Sequence, residues 1–223
     1  MINLDTSLDR YKYVREYDED FQINPEDMTD LLRKAWRVTP SKNNFMPFKV
    51  HAIGNNKKNI KELVYRKCVG NESRVDDIPN VEEVRYSKEK PRYWNIVSSS
   101  YLLIFTLRIE DQPNSFQQSG IDRGIRYEAM NQKNVTGAAH NAKIEIGMFS
   151  AALADLCFKN NLDISHILNF PSKVESWNDP EFDFIDRQVL LIMTVGKGKI
   201  YRRDFIPSNI DLKPDFHRII NMI

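Results

Sequence analysis

A chain of 223 residues with 41% apolar and 28% charged residues is long enough for one core and too apolar for disorder. Its 32 basic and 31 acidic residues leave a net charge of +1, which speaks against a nucleic-acid partner held by a general basic surface. Only Cys68 and Cys157 are present, far apart and in no metal-ligand spacing, so a disulfide framework is not expected and a reducing cytoplasm is the default.

Residues 1–23 are polar and aromatic, with Tyr11, Tyr13, Tyr17 and Phe21 set among charges. Asn24-Pro25-Glu26-Asp27 then reads as a helix start: Asn as N-cap, Pro at the first helical position, acids in the first turn. Met28, Leu31, Leu32, Ala35 and Trp36 follow at helical spacing, and the helix stops before Pro40. Phe48 to Ile53 suggests a strand, Gly54-Asn55-Asn56 a turn, and Lys57 to Val69 a second amphipathic helix carrying Ile60, Leu63, Val64 and Cys68. Residues 70–95 are rich in charge and turn formers and read as a long excursion or lid.

Tyr101 to Ile109 is a near-continuous apolar strand, central in its sheet and too short to span a bilayer, so no membrane partner is expected. Residues 111–124 read as another polar insertion. Helical character returns most clearly from Ala142 to Lys159, where Ile146, Phe149, Ala152, Leu153, Leu156 and Cys157 form a wide apolar face. Gly147, Ala151, Ala152 and Ala154 permit close approach of a partner helix. Residues 171–184 form a loop, and Val189 to Val195 is another central strand, ended by Gly196-Lys197-Gly198. The tail, 199–223, has apolar residues but no core of its own, and a second subunit is a reasonable place for it to pack. Helices and strands do not alternate as a βαβ series, so the expected class is α+β, a sheet flanked by helices in a single domain over 1–223.

The segment Pro40-Ser41-Lys42-Asn43-Asn44-Phe45-Met46-Pro47-Phe48 is the most informative of the chain. Two prolines keep helix away from both sides, leaving backbone groups and a Ser, a Lys and two Asn free to read the edge of a flat heteroaromatic ligand. Pro-Ser-x-x-Asn-x-x-Pro-aromatic resembles the signature loop of the FMN-dependent nitroreductase family. Three further segments match in order: Lys12 to Tyr17, like the family's basic opening; Glu145 to Ala154, like its central helix; and Val189 to Gly196, followed by the basic pair Arg202-Arg203. Tyr11-Lys12-Tyr13 stands where the family has Arg-Arg-Ser, and Met46 where Gln is common.

The resemblance implies a mixed, largely antiparallel sheet, an intertwined homodimer and a C-terminal tail that extends across the partner. It also implies electron transfer from NADH or NADPH through FMN to a nitroaromatic, quinone or related conjugated acceptor. Lys12, Arg202 and Arg203 are then the candidates for the phosphate, since a guanidinium fork satisfies two of its oxygens. Arg15 is the candidate for the pyrimidine end, where a positive charge favours the anionic reduced flavin. Ser41 and Asn44 are candidates for the flavin edge or ribityl hydroxyls, Lys42 and Asn43 for backbone contacts, and Asn95 falls near a family asparagine. No catalytic protein residue is implied.

Each has a plainer reading. Arg202-Arg203 is also a common kind of solvated pair, and Arg15 could pair with Glu16, Asp18 or Glu19 on the surface. Ser41 and its neighbours could simply end a helix. His51, His140, His166 and His217 show no ligand spacing, and His140 falls in a loop-like run. Trp36, Trp94 and Trp177 are most simply core or interface aromatics. The competing function is a flavin binder, or a scaffold without cofactor, that has little or no turnover.

Overall fold

The computed structural model describes residues 13–41, 45–70, 93–108, 115–124 and 135–201. The first helix forms for the reasons its sequence gives. In α1 (Pro25–Val38) the Asn24 side chain accepts from the Glu26 amide, and Glu26 and Asp27 face the positive end of the helix dipole. Met28, Leu31 and Ala35 make its buried face. Thr39 ends the helix, returning both its amide (3.1 Å) and its hydroxyl (2.7 Å) to the Ala35 carbonyl, and Pro40 prevents another turn.

The remaining elements are β1 (Val14–Tyr17), β2 (Phe48–Ile53), α2 (Lys58–Gly70), α3 (Trp94–Ser98), β3 (Tyr101–Leu107) and α4 (Ser115–Asp122). They are followed by α5 (Val135–Lys159), β4 (Asp163–Ile167), β5 (Val189–Gly196) and β6 (Gly198–Tyr201). Strands β2-β3-β5-β4 form one sheet in that order, and β1 and β6 form a separate two-stranded ladder. Every described pair is antiparallel, and helices cover the sheet on both faces, an α+β architecture.

Strand β3 reads as a continuous apolar run because both of its faces are buried. Leu103 and Phe105 point toward α5 and α1, where Phe149, Leu153 and Met28 pack. Leu102 and Ile104 point the other way, into a cluster with Ile60, Val64 and Cys68 of α2, Ile96 of α3 and Trp177. Both cysteines are free and buried, and burial pushes the Cys157 thiol up to about 12.

Several expectations change. Residues 94 and 95, assigned to an excursion, belong to α3, while 71–92 lie outside the described residues. The polar stretch 111–124 contains α4, and α5 begins well before Ala142, so His140 is an exposed helical residue. Strands β1, β4 and β6 are not anticipated at all. Trp177 is buried as a core aromatic, but Trp36 is 56% exposed. The tail beyond Tyr201 lies outside the described residues. No described helix is long and apolar enough to cross a membrane.

Candidate functional site

The β1–β6 ladder is too short to be held by its own pairing, and side chains from the rest of the fold fix it. Val14 donates its amide to Ser165 Oγ (2.9 Å) and accepts at its carbonyl from Asn95 Nδ2 (2.9 Å). The Tyr17 amide donates to Ser98 Oγ (3.0 Å), and its hydroxyl donates to the Thr194 carbonyl (3.0 Å). Burial pushes the Tyr17 pKa up, so the phenol stays a donor. On the other strand, Asp163 Oδ2 accepts from the Gly198 amide (2.9 Å) and the Tyr201 hydroxyl (3.2 Å). The Tyr17 ring closes the joint: a Cβ on Gly196 would lie 2.8 Å from it, so only glycine fits there.

This ladder carries the first candidate cluster. Arg15 lies in its middle, with its guanidinium 5.5 Å from the Tyr13 ring centroid. Val14 faces Tyr201, so β1 begins and β6 ends at the same end of the ladder. Lys12, Arg202 and Arg203 adjoin that end in sequence but lie outside the described residues. Asn95, on α3, is 1% exposed and is brought against β1 beside Arg15. Its Nδ2 is satisfied by Val14, but its Oδ1 has no hydrogen-bond partner among the described residues. Leaving a buried acceptor unmatched costs about 1–3 kcal/mol, so this oxygen calls for a donor.

The second cluster is the loop after α1. Ser41 Oγ accepts from the Met46 amide (2.8 Å), and Met46 adopts the left-handed region at φ 50°. Arg108, just past β3, donates to the carbonyls of Phe45 and Met46 (3.2 Å to Met46) and lies 5.3 Å from the Phe45 ring centroid. The loop is therefore pinned on both sides of Lys42, Asn43 and Asn44, which themselves lie outside the described residues. Beside it opens a cleft of about 560 Å³ lined by Trp36, Phe45, Met46, Phe48, Arg108 and Phe149, a size suited to a small organic ligand.

The described contacts tie Asn95 to Val14, the residue before Arg15 on β1, and do not join Ser41 to them. Sequence reasoning passes over Arg108, Ser98, Ser165 and Asp163. Their partners are 35 to 151 residues away in sequence, and no local pattern marks them. Among the described residues no group of three or more His, Cys, Asp or Glu side chains could hold a metal.

With this geometry the architecture is nitroreductase-like. No family profile and no curated protein matches the sequence. Solved structures do match, over nearly the whole chain. A nitroreductase-like protein from Streptococcus mutans is 16% identical, with 97% of this chain and 96% of that chain covered and a TM-score of 0.62. A candidate NAD(P)H:FMN oxidoreductase from Staphylococcus epidermidis is 16% identical over 97% and 94% of the two chains, with a TM-score of 0.64. A candidate nitroreductase from Exiguobacterium sibiricum, solved in complex with FMN, is 14% identical over 100% and 99%, with a TM-score of 0.63. At these identities the likeness establishes the fold.

Proposed function

We propose that this chain is a cytoplasmic FMN-dependent oxidoreductase that passes electrons from NADH or NADPH to a nitroaromatic, quinone or related conjugated small molecule. The observation that carries the reading is the buried Asn95 Oδ1 on a nitroreductase-like scaffold, an acceptor with no donor among the described residues, on the side chain that bonds the carbonyl of Val14 next to Arg15. A flavin has the matching donors in its N3–H and ribityl hydroxyls. Bound flavin supplies the chemistry, reversible two-electron transfer at the isoalloxazine ring.

The chain's own residues then bind and orient. Asn95 accepts from the cofactor, and Arg15 sets a positive charge near its pyrimidine end. Lys12, Arg202 and Arg203 neutralise the phosphate; their segments leave from one end of the β1–β6 ladder. Ser41, Lys42, Asn43 and Asn44 present backbone and side-chain groups to the ring edge. No described contact joins the two clusters within one chain, which suits a site completed by a second copy. A homodimer is supported by α5, where Ile144 (52%) and Met148 (37%) are exposed beside exposed Gly147 and Ala151. No nucleic-acid or membrane partner enters this reading.

The test is a flavin titration followed by nicotinamide oxidation. Wild-type protein should quench FMN fluorescence and, once loaded, oxidise NADH or NADPH in the presence of a quinone. Arg202→Ala combined with Arg203→Ala should weaken FMN binding without unfolding the protein, and Asn44→Leu should weaken flavin retention. Unchanged affinity would remove those residues from the site. Tight flavin binding without nicotinamide oxidation would favour the carrier reading over the enzyme.

A further inference from the structure

Helix α2 buries Ile60, Val64 and Cys68 along one stripe, and beside them, at the same depth, lies Lys61. It is the one lysine or arginine among the described residues that is fully buried. A buried ammonium is costly unless every proton is matched. Here three acceptors meet the three N–H donors: the Asn55 side-chain carbonyl, the Ser99 carbonyl and the Ser100 carbonyl (3.2 Å). Methionine would fill the same stripe with no such demand, so packing alone does not explain a lysine at this position.

The two backbone carbonyls that Lys61 holds belong to the turn between α3 and β3, and the hydroxyls at that turn reach β1, α3 and the segment after β1. Ser98 Oγ accepts from the Tyr17 amide at 3.0 Å and donates to the Trp94 carbonyl at 3.1 Å. Ser99 Oγ donates to the Ile96 carbonyl at 3.1 Å. Ser100 Oγ donates to the Phe21 carbonyl at 2.8 Å. Asn95, one turn upstream, takes the Val14 carbonyl. Thus Ser98-Ser99-Ser100 has its hydroxyls turned to β1, α3 and the segment after β1, while two of its carbonyls are gathered by one cation from behind.

We infer that Lys61 is a positioning residue of the flavin site: it locks the triple-serine turn so that β1 and α3 hold Arg15 and Asn95 against the cofactor. The inference rests on the flavin reading above and adds to it a residue that touches neither the ring nor the phosphate. Lys61→Met keeps an unbranched apolar stem as far as Cε while deleting the ammonium and its three donors. The turn then loses its rear anchor, and the clamp on the Tyr17 amide loosens. Affinity falls because Arg15 and Asn95 must be ordered at the moment of binding.

Two readouts on the full chain test it, with Ser98→Ala as a milder second variant. The first needs no flavin: hydrogen exchange at the Tyr17 amide should speed up by about tenfold or more in Lys61→Met, with β3 and β5 amides still protected. The second is FMN affinity by fluorescence titration, expected to fall about tenfold in Lys61→Met and in Ser98→Ala, and by less than the product of the two in the double variant, because they act on one clamp. Unchanged Tyr17 exchange in either a folded Lys61→Met or, should that fail to fold, Ser98→Ala overturns the clamp. Faster exchange with unaltered FMN affinity overturns its link to the cofactor. A wild-type protein that binds no FMN refutes the flavin reading instead and takes the cofactor role of Lys61 with it, while exchange still decides the clamp.

Discussion

In the four-stranded sheet, β3 sets Leu103 and Phe105 against α1 and α5 and turns Leu102 and Ile104 toward α2 and α3. In the two-stranded ladder, β1 has four residues; Val14 and Tyr17 are buried, and directed hydrogen bonds by Asn95, Ser98, Ser165 and Tyr17 itself fix its place. Apolar contact is non-directional and tolerates small adjustments; the ladder depends on a few directed bonds, each with one donor and one acceptor. The sheet is thus held by burial shared among many side chains. The part that carries Arg15 is held by polar bonds from elements distant in sequence, and a change in any of them reaches the candidate site.

The comparison can be broken at either end. Leu153→Ala, on the buried face of α5, should lower global stability by about 2–5 kcal/mol, through lost burial and the cavity left behind. Denaturant unfolding measures it, and the loss should appear equally in amides of the sheet and the ladder. Gly196→Ala should cost about 1–3 kcal/mol by overpacking, because its Cβ would meet the Tyr17 ring at 2.8 Å and the Ser100 amide nitrogen at 3.2 Å. Its signature should be local, with exchange faster in β1 and β6 before the sheet responds.

Tyr17→Phe removes only the hydroxyl that reaches Thr194 and should cost about 1 kcal/mol, read in the same exchange experiment. A last effect is one of pH. Burial, with the nearby Lys58 charge, lowers Lys61 from 10.5 to about 7, against an opposing pull from Glu19. Between those values the unfolded chain binds more protons than the folded one, so stability should rise as pH rises from about 7 toward 10.5. Denaturant midpoints at neutral and alkaline pH check this, and the rise should be smaller in Lys61→Met.

The same division explains what the sequence discloses. Helix α1 is marked by Asn24, Pro25 and its apolar spacing, and β2, β3 and β5 by runs such as Leu102 to Phe105. Strands β1 and β6 have no such runs: Val14-Arg15-Glu16-Tyr17 and Gly198-Lys199-Ile200-Tyr201 look like charged loop, and only pairing across the chain makes them strands. Strand β4 carries no clear signal because Asp163-Ile164-Ser165-His166-Ile167 buries a serine between its isoleucines. Asn95 is legible as a candidate through resemblance, but the lack of a partner for its oxygen among the described residues is not, since that depends on the folded surroundings. Nothing in the sequence sets Lys61 apart from the other charges of its helix, since its acceptors Ser99 and Ser100 lie 38 and 39 residues away.

The most direct measurement is the visible absorption spectrum of the purified protein, before and after incubation with FMN and desalting. Flavin bands that survive desalting, and are weakened in Asn95→Leu, are the predicted result. A protein that stays colourless after loading would contradict the flavin site and leave a nitroreductase-like scaffold without its cofactor.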